Sequence, residues 1–386
     1  MCDEAAAAPA RGHGILRDLS LLFLWLGMTA FGGPAAHIAM MEREIVRKRR
    51  WISSERFLDM MGVANLLPGP SSSELAVFIG YEMGGALGLM TAGTCFILPA
   101  ASLTTAIAWG YMRFGSVARV GGALFGIKPV IVAIVVQAIW VLGPKAIKRS
   151  TSIAAIGILA GIASALDVDA LVVLVAAGVG SVVAKSMRGD SSASDSRRSL
   201  ALAPLVGTAG LSSSVALGTL FLTFLKLGAV VFGSGYVLIA FLRSELVERL
   251  HWISESQLID AVAVGQLTPG PVFTTATFIG YILRGFSGAV VATVAIFLPG
   301  FAFVAAVRPI ITQIRRSALA GAFLDGVNVA SLALMTVVML RLGRVACVDG
   351  LTLGISCVSA WLLLRFRVNS SWLILGGGLV GLCLHA

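Results

Sequence analysis

Charged residues are scarce in this chain. Asp, Glu, Lys and Arg make up 12% of its 386 residues, whereas a soluble domain carries about 25%. Hydrophobic residues make up 58%, and the mean hydropathy is +0.94. Many apolar runs approach the roughly 20 residues that cross a bilayer as a helix. The composition therefore predicts an all-α polytopic membrane protein in a lipid bilayer.

Motifs for metal, cofactor or nucleotide chemistry are also lacking. The five cysteines form no CxxC pair and the four histidines complete no metal motif, so neither a disulfide framework nor a metal site is indicated. There is no P-loop, no dinucleotide or flavin fingerprint and no Ser-His-Asp set, which disfavours an ATP-driven pump or an enzyme. No cofactor is predicted. The pI near 9.9 does not indicate nucleic-acid binding, because the basic residues lie in short loops between apolar spans.

A break in the helical pattern occurs twice. Residues 65–70 read Asn-Leu-Leu-Pro-Gly-Pro, and residues 266–271 read Gln-Leu-Thr-Pro-Gly-Pro, 201 positions later. Proline lacks an amide donor and clashes with the preceding helical turn, and glycine frees the backbone, so neither copy continues a helix. Matching helix breaks in two halves of a membrane protein are the best sequence indication of a transporter's binding site.

The rest of the chain repeats in the same register. Trp51-Ile52-Ser53 matches Trp252-Ile253-Ser254, and residues 78–81 match residues 278–281 after one deletion. A repeat this extended indicates duplication. We predict a first repeat over residues 1–185, a polar, Ser-rich linker over 186–199, and a second repeat over 200–386. No cleaved signal peptide is evident.

Each repeat is predicted to contain the same spans. A first span is followed by a charged amphipathic stretch, by two short apolar pieces on either side of Pro-Gly-Pro, and by four further spans. In the first repeat these are 16–33, 37–51, 55–68, 71–82, 84–108, 120–142, 151–166 and 168–185. In the second they are 214–233, 238–252, 256–268, 272–283, 286–307, 320–341, 350–364 and 370–386.

The basic residues favour one topology. If each broken pair is a re-entrant hairpin, each half crosses the membrane five times and the two halves are inverted. With residues 47–50 inside, 18 of the 29 basic residues lie inside and 9 outside, as the positive-inside rule requires. Residues 43–56 carry six basic residues, whereas residues 243–256 carry two. We therefore predict two inverted-topology repeats, about ten transmembrane helices, a Pro-Gly-Pro-broken re-entrant hairpin in each half, and both termini outside.

The two breaks also supply candidate ligands for an anion. A helix that begins after Pro-Gly-Pro points amide donors and the positive end of its dipole at the break, and hydroxyl groups there would complete an oxyanion site. The alternative is that these Ser and Thr residues only cap the half-helices. The candidates are Asn65, Pro68, Gly69, Pro70, Ser71, Ser72 and Ser73, with Gln266, Thr268, Pro269, Gly270, Pro271, Thr274 and Thr275 in the second half.

Few ionisable residues fall within the predicted spans. Lys128 and Lys226 are the two basic residues that lie within spans and not in loops on either side. Lysines at membrane depth suggest an anion site. The alternative is that their side chains extend to the membrane interface. Glu74 follows the first break. We expect it to be protonated in the membrane, where it either carries a coupling proton or pairs with a base such as Lys128. Asp59 and Asp260 match each other. Stabilisation by the dipoles of their helices explains these two residues at least as well as a role in transport does.

These motifs together resemble the chromate ion transporter family in its long, two-domain form. The resemblance rests on Phe31-Gly-Gly-Pro34, on the Trp-Ile-Ser and Pro-Gly-Pro motifs of both halves, and on Phe78-Ile-Gly-Tyr81 with its repeat. It implies efflux of chromate, or of a similar oxyanion such as sulfate, across the bacterial plasma membrane. The driving force would be the proton gradient or the membrane potential, and the result chromate resistance. The family usually has a neutral residue, often Gln, at the position of Glu74.

Two alternatives remain open at this point. An oxyanion channel would use the same half-helix ends to line a pore. A membrane-embedded reductase or hydrolase would need chemistry for which the sequence offers no motif. The sequence also leaves open whether the chain forms a homodimer.

Overall fold

The protein is helical throughout the part of the chain that the structure describes. The computed structural model describes residues 13–31, 33–64, 67–114, 118–147, 150–166, 168–187, 215–231, 237–307, 318–366 and 368–384. Within these ranges there is no β-strand. The prediction of an all-α protein is confirmed.

The described residues of the first repeat form helices in the predicted order. They are α1 (His13–Thr29), α2 (Gly33–Met41), α3 (Ser54–Ala64), α4 (Ser71–Phe114), α5 (Ala118–Ile147), α6 (Thr151–Ala165) and α7 (Ala170–Met187). Of the predicted linker, residues 186 and 187 belong to α7, and the remainder lies outside the described residues.

The second repeat has the same helices in the same order. They are α8 (Leu217–Val230), α9 (Val237–Leu242), α10 (Glu255–Leu267), α11 (Thr275–Val307), α12 (Ala318–Ala346), α13 (Gly350–Phe366) and α14 (Ser370–Leu384). A short 3₁₀ turn, Val272–Thr274, precedes α11.

The composition of the helices is that of a membrane protein. Five helical stretches are long and apolar enough to cross a bilayer: Ser71–Phe114, Gly121–Pro144, Ala170–Met187, Val272–Ala306 and Gly321–Ala346. Four shorter helices, α6, α8, α13 and α14, are also apolar. Large apolar side chains point outward, among them Trp361 and Trp372, as expected where lipid replaces water around the protein.

The helices α4 and α11 each turn back on themselves. Gly85 has φ +60° and Gly285 has φ +63°, a conformation that favours glycine. The hydroxyl groups of Thr277 and Thr293 are 2.7 Å apart, although 16 residues would span about 24 Å in a straight helix. Each helix therefore has a short arm (71–83; 275–283) and a long arm (86–114; 286–307). The predicted boundaries after residues 82 and 283 fall at these turns.

The two pieces around each Pro-Gly-Pro pack side by side. At the start of α3, Arg56 forms an ion pair with Glu82 at the end of the short arm of α4, at 3.0 Å. The two pieces therefore run antiparallel, with Pro68–Pro70 at the opposite end. We call α3, Pro68–Pro70 and the short arm of α4 the first hairpin, and α10, Pro269–Pro271 and the short arm of α11 the second hairpin. In each, Pro-Gly-Pro is the tip.

The charged stretch after the first span takes an unusual helical form in both halves. Helices α2 and α9 continue directly into π-helices, Glu42–Lys48 and Arg243–Arg249. Each π-helix is followed by a residue with φ +51°, Arg50 in the first half and His251 in the second. The sequence predicted an amphipathic charged stretch here, but not its π-helical geometry.

The two halves exchange their last two helices. Helix α5 of the first half packs against α13 and α14 of the second, and α12 packs against α6 and α7. Glycines allow close approach at these contacts: a Cβ atom on Gly377 would lie 2.7 Å from Val130 Cγ2, and one on Gly381 would meet the backbone of Gly122. The order of these contacts shows that α5 and α14 run antiparallel.

Candidate functional site

The tip of the first hairpin reaches into the second half. Gly69 has φ +132°, and its amide donates a hydrogen bond of 2.6 Å to the carbonyl of Val231, which follows α8. The carbonyl of Pro70 accepts from the amides of Ser73 at 2.7 Å and Glu74 at 3.1 Å, which closes the first turn of α4. Asn65 lies outside the described residues.

The tip of the second hairpin makes the reciprocal contact. Gly270 has φ +90°, and its amide donates at 2.9 Å to the carbonyl of Ala30, at the end of α1. A Cβ atom on Gly270 would lie 2.8 Å from Ala100 Cβ, so the tip is seated between α1 and the long arm of α4. The two tips are therefore interleaved, each hydrogen-bonded to the first helix of the opposite half.

The three serines after the first tip are buried but differ in their partners. Ser72 Oγ lies 3.2 Å from His37 Nδ1. Ser73 Oγ is buried without a hydrogen-bond partner among the described residues. Since buried polar groups are normally paired, Ser73 is the serine that is free to meet a ligand.

A buried histidine connects the two tips and was missed by the sequence analysis. His37 Nε2 lies 3.0 Å from the carbonyl of Ala30, the same oxygen that accepts from Gly270. Helix α2 is not among the apolar stretches that are long enough to cross a membrane. Burial lowers the pKa of His37 to about 4, and the hydrogen bond to Ala30 opposes this shift in part. The neutral ring can donate through Nε2 and accept from Ser72 through Nδ1. No local motif marks His37, because its partners are distant in sequence.

Glu74 is the most deeply buried acid beside the tips. It is 1% exposed, and neither carboxylate oxygen has a hydrogen-bond partner among the described residues. The side chain lies against Gly69 of its own tip, and a Cβ atom on Gly300 of the second half would be 3.6 Å from Glu74 Cγ. The alternative that Glu74 pairs with Lys128 is wrong, since Lys128 has other partners.

The polar residues of the second tip are mostly engaged locally. Thr274 Oγ1 donates to the carbonyl of Pro271 at 2.9 Å, and Thr275 Oγ1 donates to Val272 at 2.8 Å. Thr268 Oγ1 is 3.5 Å from the carbonyl of Gly265. These hydroxyls therefore donate to carbonyls of their own turn and do not cap a helix, and their oxygens can still accept a hydrogen bond. Gln266 differs, because its buried Nε2 has no partner in the described part of the chain.

Lys128 lies at the base of the second hairpin, away from the tips. Its Nζ donates to Ser256 Oγ at 2.6 Å and is 3.5 Å from Asp260 Oδ1. The other oxygen of Asp260 accepts from the hydroxyl of Tyr111 at 3.0 Å. The helix dipole is therefore not a sufficient explanation of Asp260, which has partners from the opposite half.

Lys226 lies in a separate cleft. Its Nζ is 3.1 Å from Glu245 Oε2, and Glu245 also accepts from Arg249. The cleft is small and is lined by Asp169 and Ser244 besides these residues. The structure therefore groups neither lysine with the polar atoms at the tips.

The fold and the site define a class of protein. Two interleaved helix breaks, unpaired buried polar groups beside them and apolar helices around them are features of a membrane transport protein rather than of an enzyme.

Comparison with known proteins identifies the family. A family model described as "Chromate transporter" matches residues 17–182 and again residues 218–382. The chain belongs to the chromate transporter family, and the resemblance seen in the sequence is confirmed. The matches also show a membrane transporter with an oxyanion as the expected kind of substrate.

Three relatives match nearly the whole chain. The chromate transport protein of Pseudomonas aeruginosa is 33% identical, over 93% of this chain and 90% of its own length. That of Cupriavidus metallidurans is 31% identical, over 95% and 92% respectively. A probable chromate transport protein of Synechococcus elongatus is 30% identical, over 90% of both chains. No solved structure matches the chain.

Proposed function

We propose that this protein is a secondary active transporter that exports chromate, or a related tetrahedral oxyanion such as sulfate, across the bacterial plasma membrane. The proton gradient or the membrane potential would drive the transport, which would confer chromate resistance. The observation that carries the proposal is the pair of interleaved tips with buried, unpartnered polar atoms beside them. Ser73 Oγ and Gln266 Nε2 are the foremost of these atoms.

The chemistry of these atoms suits an oxyanion. A serine hydroxyl and a glutamine amide can both donate hydrogen bonds to oxygen. Leaving them unpaired in the protein interior costs free energy, roughly 1–3 kcal/mol for each group, which a bound acceptor would recover. The remaining candidates at the tips, Ser71, Ser72, Thr274 and Thr275, would surround the anion and fix the ends of the half-helices. Lys128 and Lys226 would attract the anion from a greater distance.

Glu74 sets a condition on binding. An ionised carboxylate would repel a dianion bound at the same tip, and among the described residues no cation is paired with Glu74 to offset that repulsion. We therefore propose that Glu74 is neutral when the anion is bound.

The antiparallel contact of α5 and α14 supports the inverted topology. Helices α5 and α7 are separated by one crossing and would run in the same direction, as would α12 and α14. In parallel repeats α5 and α14 would therefore be parallel, whereas Gly126 lies beside Gly377 and Gly122 beside Gly381. At 11 residues, α3 is about 16 Å long, shorter than the roughly 30 Å hydrocarbon core. We propose ten crossings with two re-entrant hairpins that enter from opposite sides.

Uptake of radiolabelled chromate into everted membrane vesicles tests the proposed function. We expect accumulation against a gradient that uncoupler abolishes and that excess sulfate reduces. Uncoupler-resistant equilibration without accumulation would instead indicate a channel. The absence of any chromate movement would overturn the proposal.

The site itself is tested by Ser73→Ala and Gln266→Leu. Each is expected to lower chromate transport about tenfold or more, since loss of one hydrogen bond to a charged ligand costs about 1.5–3 kcal/mol. The matched control is Thr336→Val, because the Thr336 hydroxyl donates to the Leu332 carbonyl within its own helix, away from the tips. Normal transport by both site variants at normal protein levels would remove these residues from the site.

A further inference from the structure

A second buried polar cluster ties the base of the second hairpin to the first half. Asp260 and Ser256 lie on α10, whereas Lys128 comes from α5 and Tyr111 from α4. The Asp260 side chain is 3% exposed and that of Lys128 is 21% exposed. The cluster is therefore closed around the carboxyl group and reaches solvent or the interface on its lysine side.

The hydrogen bonds of the cluster are incomplete. Asp260 Oδ2 is paired with Tyr111, but Oδ1 makes no hydrogen bond to a described residue and faces Lys128 Nζ at 3.5 Å. The short hydrogen bond of Lys128 goes to Ser256 instead. One oxygen of a buried carboxyl group is thus free to hold a proton without the loss of an existing hydrogen bond.

The residues that match this cluster in the other half differ in sequence. Asp59 corresponds to Asp260, but Asn328 occupies the position that matches Lys128, and Ile311 the position that matches Tyr111. Asp59 is only partly buried. The Asp–Lys–Tyr combination is therefore specific to the second hairpin.

The charge on Asp260 determines how much it costs to separate this residue from Lys128. Separation of a buried carboxylate from its cation leaves an uncompensated charge and is strongly unfavourable. If Asp260 is protonated first, the carboxyl is neutral and the partly exposed Lys128 can be solvated, so that the hairpin can move. Opening of the hairpin would in this way require the uptake of a proton.

Several other ionisable groups lie on the elements that pack against α10. Lys128 and Tyr111 are those that reach Asp260 from α5 and α4, and α14 has no acidic or basic residue. Arg243 of the π-helix is bound by Glu255 of α10, at 2.6 Å, and by Glu248. Glu245 and Arg249 of the π-helix pair with each other. The further charged residues on these elements are Glu74, Glu82 and Arg113 of α4, Arg119 and Lys145 of α5, Arg284 of α11, and Asp325, Arg341 and Arg344 of α12.

We propose that Asp260, Lys128 and Tyr111 form a proton-binding site at the base of the second hairpin, and that its protonation frees this hairpin to move during transport. The role of this proton site in transport rests on the proposed function. It adds a coupling site that is separate from the tips: Asp260 and Gly270 are ten residues apart, and the nine positions from Asp260 to the start of the tip span about 13 Å along a helix.

The first test needs no substrate. Hydrogen–deuterium exchange of residues 255–267 is measured in lipid nanodiscs over a range of pH and corrected for the intrinsic pH dependence of exchange. In the wild type we expect exchange to rise on acidification. In Asp260→Asn it should be raised and independent of pH, whereas Asp59→Asn, the matched carboxyl of the first hairpin, should behave as the wild type. Identical pH profiles in the wild type and Asp260→Asn would overturn the proposal.

The second test separates coupling from binding. In proteoliposomes, Asp260→Asn is expected to retain chromate–chromate exchange within about twofold and to lose proton-driven net transport by about tenfold or more, the size of a typical coupling between sites. Unchanged proton-driven transport would contradict the proposal. If the wild type moves no chromate, the proposed function fails and the exchange measurement still decides the role of Asp260.

A folding defect is handled by a second variant. Should Asp260→Asn fail to accumulate, Lys128→Gln with Asp260→Asn leaves no uncompensated charge in the cluster. The double variant should fold and show the same loss of pH dependence. Retention of the wild-type pH dependence in the double variant would count against the proton site.

Discussion

At the scale of single residues, two kinds of atom meet at the centre of the protein. Backbone groups, such as the Gly69 and Gly270 amides, hold the tips in place. Side-chain atoms, such as Ser73 Oγ, the Glu74 carboxyl and Gln266 Nε2, have no partner in the described residues. The first kind forms the frame of the site and the second kind is available to a ligand, so substitutions of the two kinds should have different effects.

Substitution of the tip glycine tests the frame. Gly69→Ala would place a methyl group against Glu74 Oε1 and would force a side chain into a backbone conformation that costs about 1–3 kcal/mol for non-glycine residues. We expect a lower thermal unfolding temperature in detergent and a loss of transport. The control is Gly62→Ala in α3, where a Cβ atom meets nothing within 4 Å. Equal stability of the two variants would argue against the strained tip.

Substitution of Glu74 tests the ligand side. Glu74→Gln has the shape of the protonated acid and should leave protein levels unchanged. If Glu74 carries the coupling proton, the dependence of chromate transport on pH should flatten. The control is Glu82→Gln, which lies on the same helix arm but pairs with Arg56 at the hairpin base. A fall in expression without a change in pH profile would instead assign Glu74 a structural role.

At the scale of elements, the decisive feature is that α4 and α11 fold back at Gly85 and Gly285. The breaks at Pro-Gly-Pro were predictable, because proline and glycine act on their own backbone and leave a local signal. The boundaries near residues 82 and 283 could also be predicted, since the apolar runs change there. The partners of Lys128 and His37 could not, because Lys128 meets residues 128 and 132 positions away, and packing at such distances leaves no local pattern.

A disulfide can test the fold-back directly. Thr277→Cys with Thr293→Cys should form a disulfide in a background in which the native cysteines are replaced by serine, because the two hydroxyl oxygens are 2.7 Å apart and a disulfide needs Cα atoms within about 7 Å. A mass shift after alkylation and proteolysis detects the bond. The pairing of Thr277→Cys with Thr336→Cys serves as the control. Failure of the first pair to oxidise under conditions that leave the protein folded would contradict the turn at Gly285.

At the scale of the whole molecule, each half depends on the other. Helices α5 and α12 are covered by the last two helices of the opposite half, and both tips are anchored across the same boundary. The repeat was evident in the sequence, but this exchange was not, because two halves that pack separately would show the same repeat. Which half covers which helix is decided by contacts between distant glycines such as Gly126 and Gly377.

Separate expression of the halves tests this dependence. A chain cut within residues 188–199 and expressed as two polypeptides should assemble, since the exchanged helices bury apolar surface and pack through glycines. A tag on the first half should copurify the second. Either half expressed alone should accumulate poorly, because the backbone partners of its tip and the cover of its central helix are missing. Stable, monodisperse protein from one half alone would contradict the exchange.

The reciprocal anchoring of the tips has a consequence for how this protein can evolve. The bonds from Gly69 to Val231 and from Gly270 to Ala30 join main-chain atoms, so the carbonyl partners can change their side chains without loss of the bond. The two halves are thereby free to diverge around a common frame. The first hairpin has Glu74 and the His37–Ser72 pair, and the second has the contacts of Asp260 with Lys128 and Tyr111. A duplicated and once symmetrical molecule can in this way divide its tasks between two unlike sides.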